Sequence, residues 1–288
     1  MIEETATQIQ NQVGRANFTY LMSVAFDGTG YLGWQIQPHG PTIQSVMEEK
    51  LSYLFGSKIF LNSSGRTDAG VHALGMAVSF TPPAKPQIPP ETIKRAMNSI
   101  LPAEIRINSI EIRDQEFNAR FDAKGKAYTY VIHNTRKANA FTHRWVWQVA
   151  DKFNVEAVLQ AASYLIGIHD FSSFAVEINK TKKNPIRHIF DIRTDSFGEY
   201  ICITFLGESF LYKMVRSLMG TLHRVGIEKV QPQKVLEILE SRNRLCAYDT
   251  APAKGLFLME VFYSYGEWKE FKLKELPFFV QKSYRQDC

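Results

Sequence analysis

The chain has 288 residues, 45% of them hydrophobic and 22% charged, with a formal net charge of +5 and a pI near 9.0. That length can bury a proper core, in two moderate domains rather than one large one, and the composition excludes extensive disorder. The basic balance suits a polyanionic partner without requiring one.

No run reaches the roughly 18 apolar residues of a membrane span, and Glu3 and Glu4 stand where a signal peptide carries bases. Cys202, Cys246 and Cys288 are odd in number and lack C-x-x-C spacing, so neither a disulfide framework nor a zinc site is expected. These features predict a compact cytoplasmic protein with reduced thiols.

In chain order, residues 1–16 lack an apolar pattern and form a loose lead-in. Alternation predicts a strand over 18–26, closed by the turn residues Asp27-Gly28-Thr29-Gly30. Tyr31, Trp34 and Gln35 follow in a loop, as core plugs or as stacking surfaces. Thr42 caps a helix to Phe55, with Ile43, Val46, Met47, Leu51 and Leu54 on one face and Gly56 as its stop. Short strands are predicted at 58–61 and 77–80, a helix at 90–100 and a strand at 105–112. That order, β-α-β-β-α-β, is the order of a split ferredoxin-like unit.

The second half repeats the plan. Strands are predicted at 127–133, 186–194, 200–205 and 256–263. Helices are predicted at 154–165, with Val155, Val158, Leu159 and Leu165 buried, at 209–225, and after Pro232. The reading is an α+β protein of two ferredoxin-like (RRM-like) halves, with mostly antiparallel sheets forming a central cleft. Residues 17–122 carry one domain, 123–265 the second, and 266–288 a tail.

Between 58–61 and 77–80 lies Ser64-Gly65-Arg66-Thr67-Asp68-Ala69-Gly70-Val71-His72-Ala73-Leu74-Gly75. Its glycines let the backbone turn tightly and approach a ligand closely, presenting one acid, Asp68, from a strand end. A surface turn in which Asp68 bonds local amides fits the spacing equally well.

This loop resembles the signature of the TruA family of tRNA pseudouridine synthases, and further pieces of that family's pattern follow in order. They are Asp27-Gly28-Thr29-Gly30-Tyr31-Leu32-Gly33-Trp34-Gln35, Phe117-Asn118-Ala119-Arg120-Phe121, Tyr128-Thr129-Tyr130, Gly167-Ile168-His169-Asp170-Phe171-Ser172-Ser173-Phe174, Phe210-Leu211-Tyr212-Lys213-Met214-Val215-Arg216 and Thr250-Ala251-Pro252-Ala253-Lys254-Gly255-Leu256. The resemblance runs from about Phe18 to Tyr263. Met76, Lys126 and Tyr248 depart from the family's wording, where Gln, Arg and Gly are common.

The resemblance implies isomerisation of uridine to pseudouridine at positions 38, 39 and 40 of the tRNA anticodon stem and loop, without cofactor or metal, by a homodimer. Asp68 is then the nucleophile, attacking either the uracil ring or the sugar carbon. Arg216 is its cationic partner, since a sheltered carboxylate needs a nearby cation and Arg offers a permanent two-pronged one. By pattern alone Arg216 could equally belong to a solvated basic helix face with Lys213 and Arg224, one turn after Tyr212. Tyr128 and Tyr130 alternate on one strand and share a face. By that alternation both could be core or both surface; the family places its stacking Tyr at Tyr128, and Tyr130 is assigned to the core.

Arg66 is implied beside the flipped base. His72, Arg120, Lys124 and Lys126 are assigned to the RNA side, with His72 also open to a structural role. Arg136, Lys137, Arg144, Lys180, Lys182 and Lys183 are further candidates for phosphates. Rival readings are the same reaction at another tRNA or RNA site, a catalytically silent RNA-binding protein on the same scaffold, and a glycosidase. The glycosidase reading lacks a second carboxylate in a convincing setting.

Overall fold

A computed structural model describes residues 16–176 and 184–279. The expectations for the lead-in up to residue 15, for Lys180, Lys182 and Lys183, and for the tail from 280 to Cys288 fall outside the described residues. The chain divides into two compact units, Met1–Asp122 and Ala123–Cys288. Each combines helices with a largely antiparallel sheet, which makes the protein α+β. Among the described residues, no helix is long and apolar enough to cross a membrane.

In the first unit, β1 (Phe18–Phe26) is central because both of its edges are paired, and Met22 and Val24 on one face are fully buried. It pairs antiparallel with β3 (His72–Phe80) on one side and β4 (Ile105–Asp114) on the other. β2 (Asn62–Ser63) adds to β3, giving the order β4-β1-β3-β2.

Helix α1 (Ile43–Phe55) starts at Thr42, whose side chain accepts the Ser45 N–H in a capping box, and ends at Gly56 in the left-handed region. Ile43, Met47, Leu51 and Phe55, four residues apart, form its buried stripe. Helix α2 (Pro90–Ile100) opens with proline at N1, where no N–H is needed.

The strand expected at 58–61 is not formed. Its amides are taken by side chains of α1: the Ile59 N–H donates to Ser52 Oγ at 2.9 Å and the Leu61 N–H to Glu48 Oε1 at 2.9 Å. Pairing is therefore delayed to Asn62 and Ser63. β3, in contrast, begins five residues earlier than alternation suggested, so that the glycine-punctuated loop runs directly into a strand.

In the second unit, β5 (Gly125–Asn134) lies between β9 (Tyr200–Gly207) and β10 (Leu256–Phe262), all antiparallel. β8 (Ile186–Phe197) and the edge strand β7 (Gly167–Asp170) extend the sheet beyond β9, while β6 (Trp147–Val149) runs parallel to β5. The path is β10-β5-β9-β8-β7. The helices are α3 (Val155–Ser163), α4 (Met214–Gly226) and α5 (Gln233–Ser241).

Two expectations are corrected here. Leu159 is 40% exposed, because Val158, Ala161, Ala162 and Leu165 make the buried face of α3 and its C-terminal turn, and Leu159 is rotated off it. Helix α4 starts at Met214, not at 209. Backbone groups of 208–212 are engaged elsewhere: the Glu208 N–H donates to His188 O, and Tyr212 O accepts the Val176 N–H. Lys213, at φ 58, then turns the chain into the helix. Tyr212 therefore precedes α4 instead of sitting one turn below Arg216.

Burial and the nearby Asp195 push the Cys202 thiol up to about 12, so it stays protonated, while Cys246 is exposed.

Candidate active site

Asp68 stands at the head of a four-residue turn in which the Val71 N–H donates to its carbonyl at 3.1 Å, with Gly70 at φ 77 in the third position. Only a residue without Cβ takes that angle without cost. The turn leads into β3 at His72, so Asp68 is set at the end of an element with both edges paired.

What holds the turn is the Asp27–Gln35 segment. A Cβ on Gly33 (φ +86) would lie 2.4 Å from Thr67 O, and one on Gly28 would lie 2.1 Å from Val71 O. The two backbones thus touch at points where side chains are excluded. The Trp34 N–H donates to Thr67 O at 3.2 Å, and the buried Trp34 ring packs 6.0 Å from Phe26. Trp34 is thereby a core plug rather than a stacking surface. Thr67 Oγ1 is buried without a hydrogen-bond partner in the structure, next in sequence to Asp68.

His72 is buried, and its Nδ1 accepts the Gly28 N–H at 3.1 Å while lying 3.1 Å from Asp27 Oδ1. Asp27 Oδ1 also accepts from the Thr29 amide and hydroxyl. His72 therefore ties the end of the Asp68 turn to the end of β1. His72→Leu leaves the Gly28 amide buried and unsatisfied, an expected loss of about 1–3 kcal/mol. His72→Asn, whose side-chain oxygen reaches the place of Nδ1, is expected to recover much of it. Urea unfolding of the two variants checks this, and equal losses would show that the bond is not what His72 contributes.

In the second unit, Tyr128 and Tyr130 share a face of β5, opposite Phe205 and Ile203 on one side and Leu258 and Leu256 on the other. Tyr128 is 8% exposed and meets Phe210 edge-on, with centroids 5.3 Å apart. Tyr130 is fully buried, and its hydroxyl donates to Pro252 O at 2.7 Å. Burial drives its pKa far up, against the pull of the nearby Arg216.

Arg216 lies in the first turn of α4, half-buried. Its Nε donates to Ala251 O at 2.9 Å, and its own carbonyl accepts the Ala251 N–H at 3.0 Å. The Thr250-Ala251-Pro252-Ala253 segment is thus the sleeve that aims the guanidinium. Arg244 anchors the chain leading into that segment, donating to Ala247 O, Tyr248 O and Thr250 Oγ1. Among the described residues, no group of three His, Cys, Asp or Glu side chains could hold a metal ion.

The sequence pattern of the family described as tRNA pseudouridine synthase matches residues 22–122 and 161–264. The chain belongs to the TruA family of tRNA pseudouridine synthases. By that membership it is an isomerase.

The chain is 39% identical over 241 residues to tRNA pseudouridine synthase A of Thermotoga neapolitana, covering 83% of this chain and 97% of that protein. It is 40% identical over 245 residues to tRNA pseudouridine synthase A of Thermosipho africanus, covering 85% and 99%. The protein of the same name from Geotalea daltonii is 39% identical over 240 residues, covering 83% and 97%.

Against the family pattern, the remaining candidates fall as follows. Arg66 is exposed beside Asp68, and Arg120 is exposed with its guanidinium 5.5 Å from the Phe121 ring centroid. Lys124 and Lys126 flank the start of β5, half-buried, and Lys124 Nζ lies 5.4 Å from the Tyr265 ring centroid. Thr67, Ala251 and Arg244 were not singled out from the sequence as site residues. Thr67 and Ala251 act through main-chain groups, which carry no residue-specific signal, and Arg244 falls between the family's motifs.

Proposed function

We propose that this protein isomerises uridine to pseudouridine at positions 38, 39 and 40 of the tRNA anticodon stem and loop, through a covalent intermediate on Asp68. The N1–C1′ bond breaks, the uracil turns and a C5–C1′ bond forms; the proton of C5 leaves to solvent, N1 takes one up, and the bond to Asp68 breaks to release the product. Asp68 is the nucleophile, Tyr128 the ring against which the extruded uracil stacks, and Arg216 the guanidinium that the chemistry requires. Arg66, Arg120, Lys124 and Lys126 meet RNA.

The observation that carries this reading is the turn itself. One carboxylate is presented from a backbone clasped at Gly28 and Gly33, which suits a nucleophile that must be held in place rather than a solvated surface acid. Membership of the family supports the reaction type and tRNA as substrate.

Both units are ferredoxin-like in this reading, as domains at 17–122 and 123–265. The orders β4-β1-β3-β2 and β10-β5-β9-β8 support it, each placing the first strand between the last and third of four. The enzyme works in the cytoplasm as a homodimer.

The test is release of tritium from tRNA transcripts labelled at uracil C5, followed by mapping of the product. Release from the anticodon stem and loop is expected. Release from another region would move the substrate site; binding without release would make the protein a silent RNA binder, and free uracil would make it a glycosidase.

A further inference from the structure

Residues 135–146 join β5 to β6 within the second unit and carry Arg136, Lys137 and Arg144 with no acid among them. All three cations are exposed. Between them Phe141 is 86% exposed. A phenylalanine so placed contributes little to the fold, and one at a loop tip is ordinarily accompanied by a loosely held backbone.

This backbone is held. The Phe141 N–H donates to Asn139 Oδ1 at 2.9 Å, the His143 N–H to Asn139 O at 3.0 Å, and the Trp145 N–H to Thr142 O at 2.9 Å. Thr142 is buried, with Oγ1 3.4 Å from the Tyr200 hydroxyl, and Val146, next in sequence to Trp145, is buried as well. The Trp145 ring stacks on Phe278 at 5.7 Å and 21°. Phe278 also meets Tyr200 edge-on at 5.8 Å, and Tyr200 in turn stacks on His133 at 4.4 Å. Phe278 lies beyond residue 264, where the family pattern ends, so the brace comes from a segment the family pattern does not describe.

We propose that the 135–145 loop, braced through Trp145 and Phe278, is an RNA-binding arm that stacks a base on Phe141 and neutralises phosphates with Arg136, Lys137 and Arg144. An exposed ring offers a face to any base, and cations without acids suit a polyanion; the two together describe a nucleic-acid strand better than a protein surface. The proposal rests on tRNA being the substrate and not on the role of Asp68.

The test uses the full chain and a tRNA transcript, with affinity measured across a salt series and no turnover required. Phe141→Ala is expected to weaken binding about 5- to 100-fold, and Phe141→Tyr to restore it. Replacing Arg136, Lys137 and Arg144 together by alanine is expected to lower the dependence of log K on log salt by about 2 to 3. KM then rises while kcat at saturating tRNA holds. Unchanged affinity and salt dependence in both variants would overturn the proposal. So would unchanged tRNA affinity with an altered sedimentation coefficient, which would make the loop a contact between protein chains. A wild type that binds tRNA but releases no tritium would count against the catalytic reading and leave this one standing.

Discussion

Asp68→Asn is expected to abolish tritium release from C5-labelled tRNA, by a factor on the order of 10⁴ or more, while leaving the fold and tRNA binding intact. Asparagine matches aspartate in shape but has no carboxylate to form the covalent adduct. The bond that closes the turn runs from the Val71 N–H to the Asp68 carbonyl, so it survives the substitution. Asp68→Glu is the sharper variant. It keeps the carboxylate but moves it about one methylene, and displacement on the order of 1 Å costs roughly 10²-fold. Single-turnover rates with all three proteins decide the matter: an Asp68→Asn enzyme within tenfold of wild type would remove Asp68 from the mechanism.

The second large effect is expected at a residue that has no side chain to contribute to the chemistry. Gly220 sits one turn after Arg216 on α4, where an added Cβ would lie 1.8 Å from Asp249 O and 3.0 Å from Asp249 C. Both are backbone atoms and cannot swing aside. Gly220→Ala therefore pushes the 249–252 segment off the helix. That segment holds Arg216 through Ala251 and is itself held by Tyr130 through Pro252. The helix propensity gained by alanine, about 1 kcal/mol, is outweighed by overpacking of about 1–3 kcal/mol or more. Activity should fall by on the order of 10²-fold through misplacement of the guanidinium. Gly30→Ala is the control, since nothing lies within 4 Å of its added Cβ. Thermal melts and rates for the pair would refute the account if Gly220→Ala and Gly30→Ala behaved alike.

Much of the fold is legible in local patterns because the relevant forces are local. Thr42 and Gly56 bound α1, and Pro90 opens α2, because caps and breakers act on the residues beside them. Residues 58–61 alternate as a strand does, yet Ser52 and Glu48 of α1 claim their amides. Ser209 reads as a helix start, yet the backbone on either side of it, at Glu208 and Tyr212, is committed to His188 and Val176. In both cases a partner in another element overrides the local pattern.

The site divides along the same line. The sequence by itself determined the family, the reaction class and the candidate side chains, because the identities of Asp68, Tyr128 and Arg216 and the ordered motifs around them are carried in residue types. Only the tertiary structure decided how those side chains are held. Gly28 and Gly33 admit the Asp68 backbone at contact distance, His72 is enclosed as a brace between the turn and β1, and Ala251 receives the Arg216 Nε through a main-chain carbonyl. The physical reason is that close backbone approach and main-chain hydrogen bonds depend on which segments meet in space. Residue type reports what a side chain can do, and packing determines where it is made to do it.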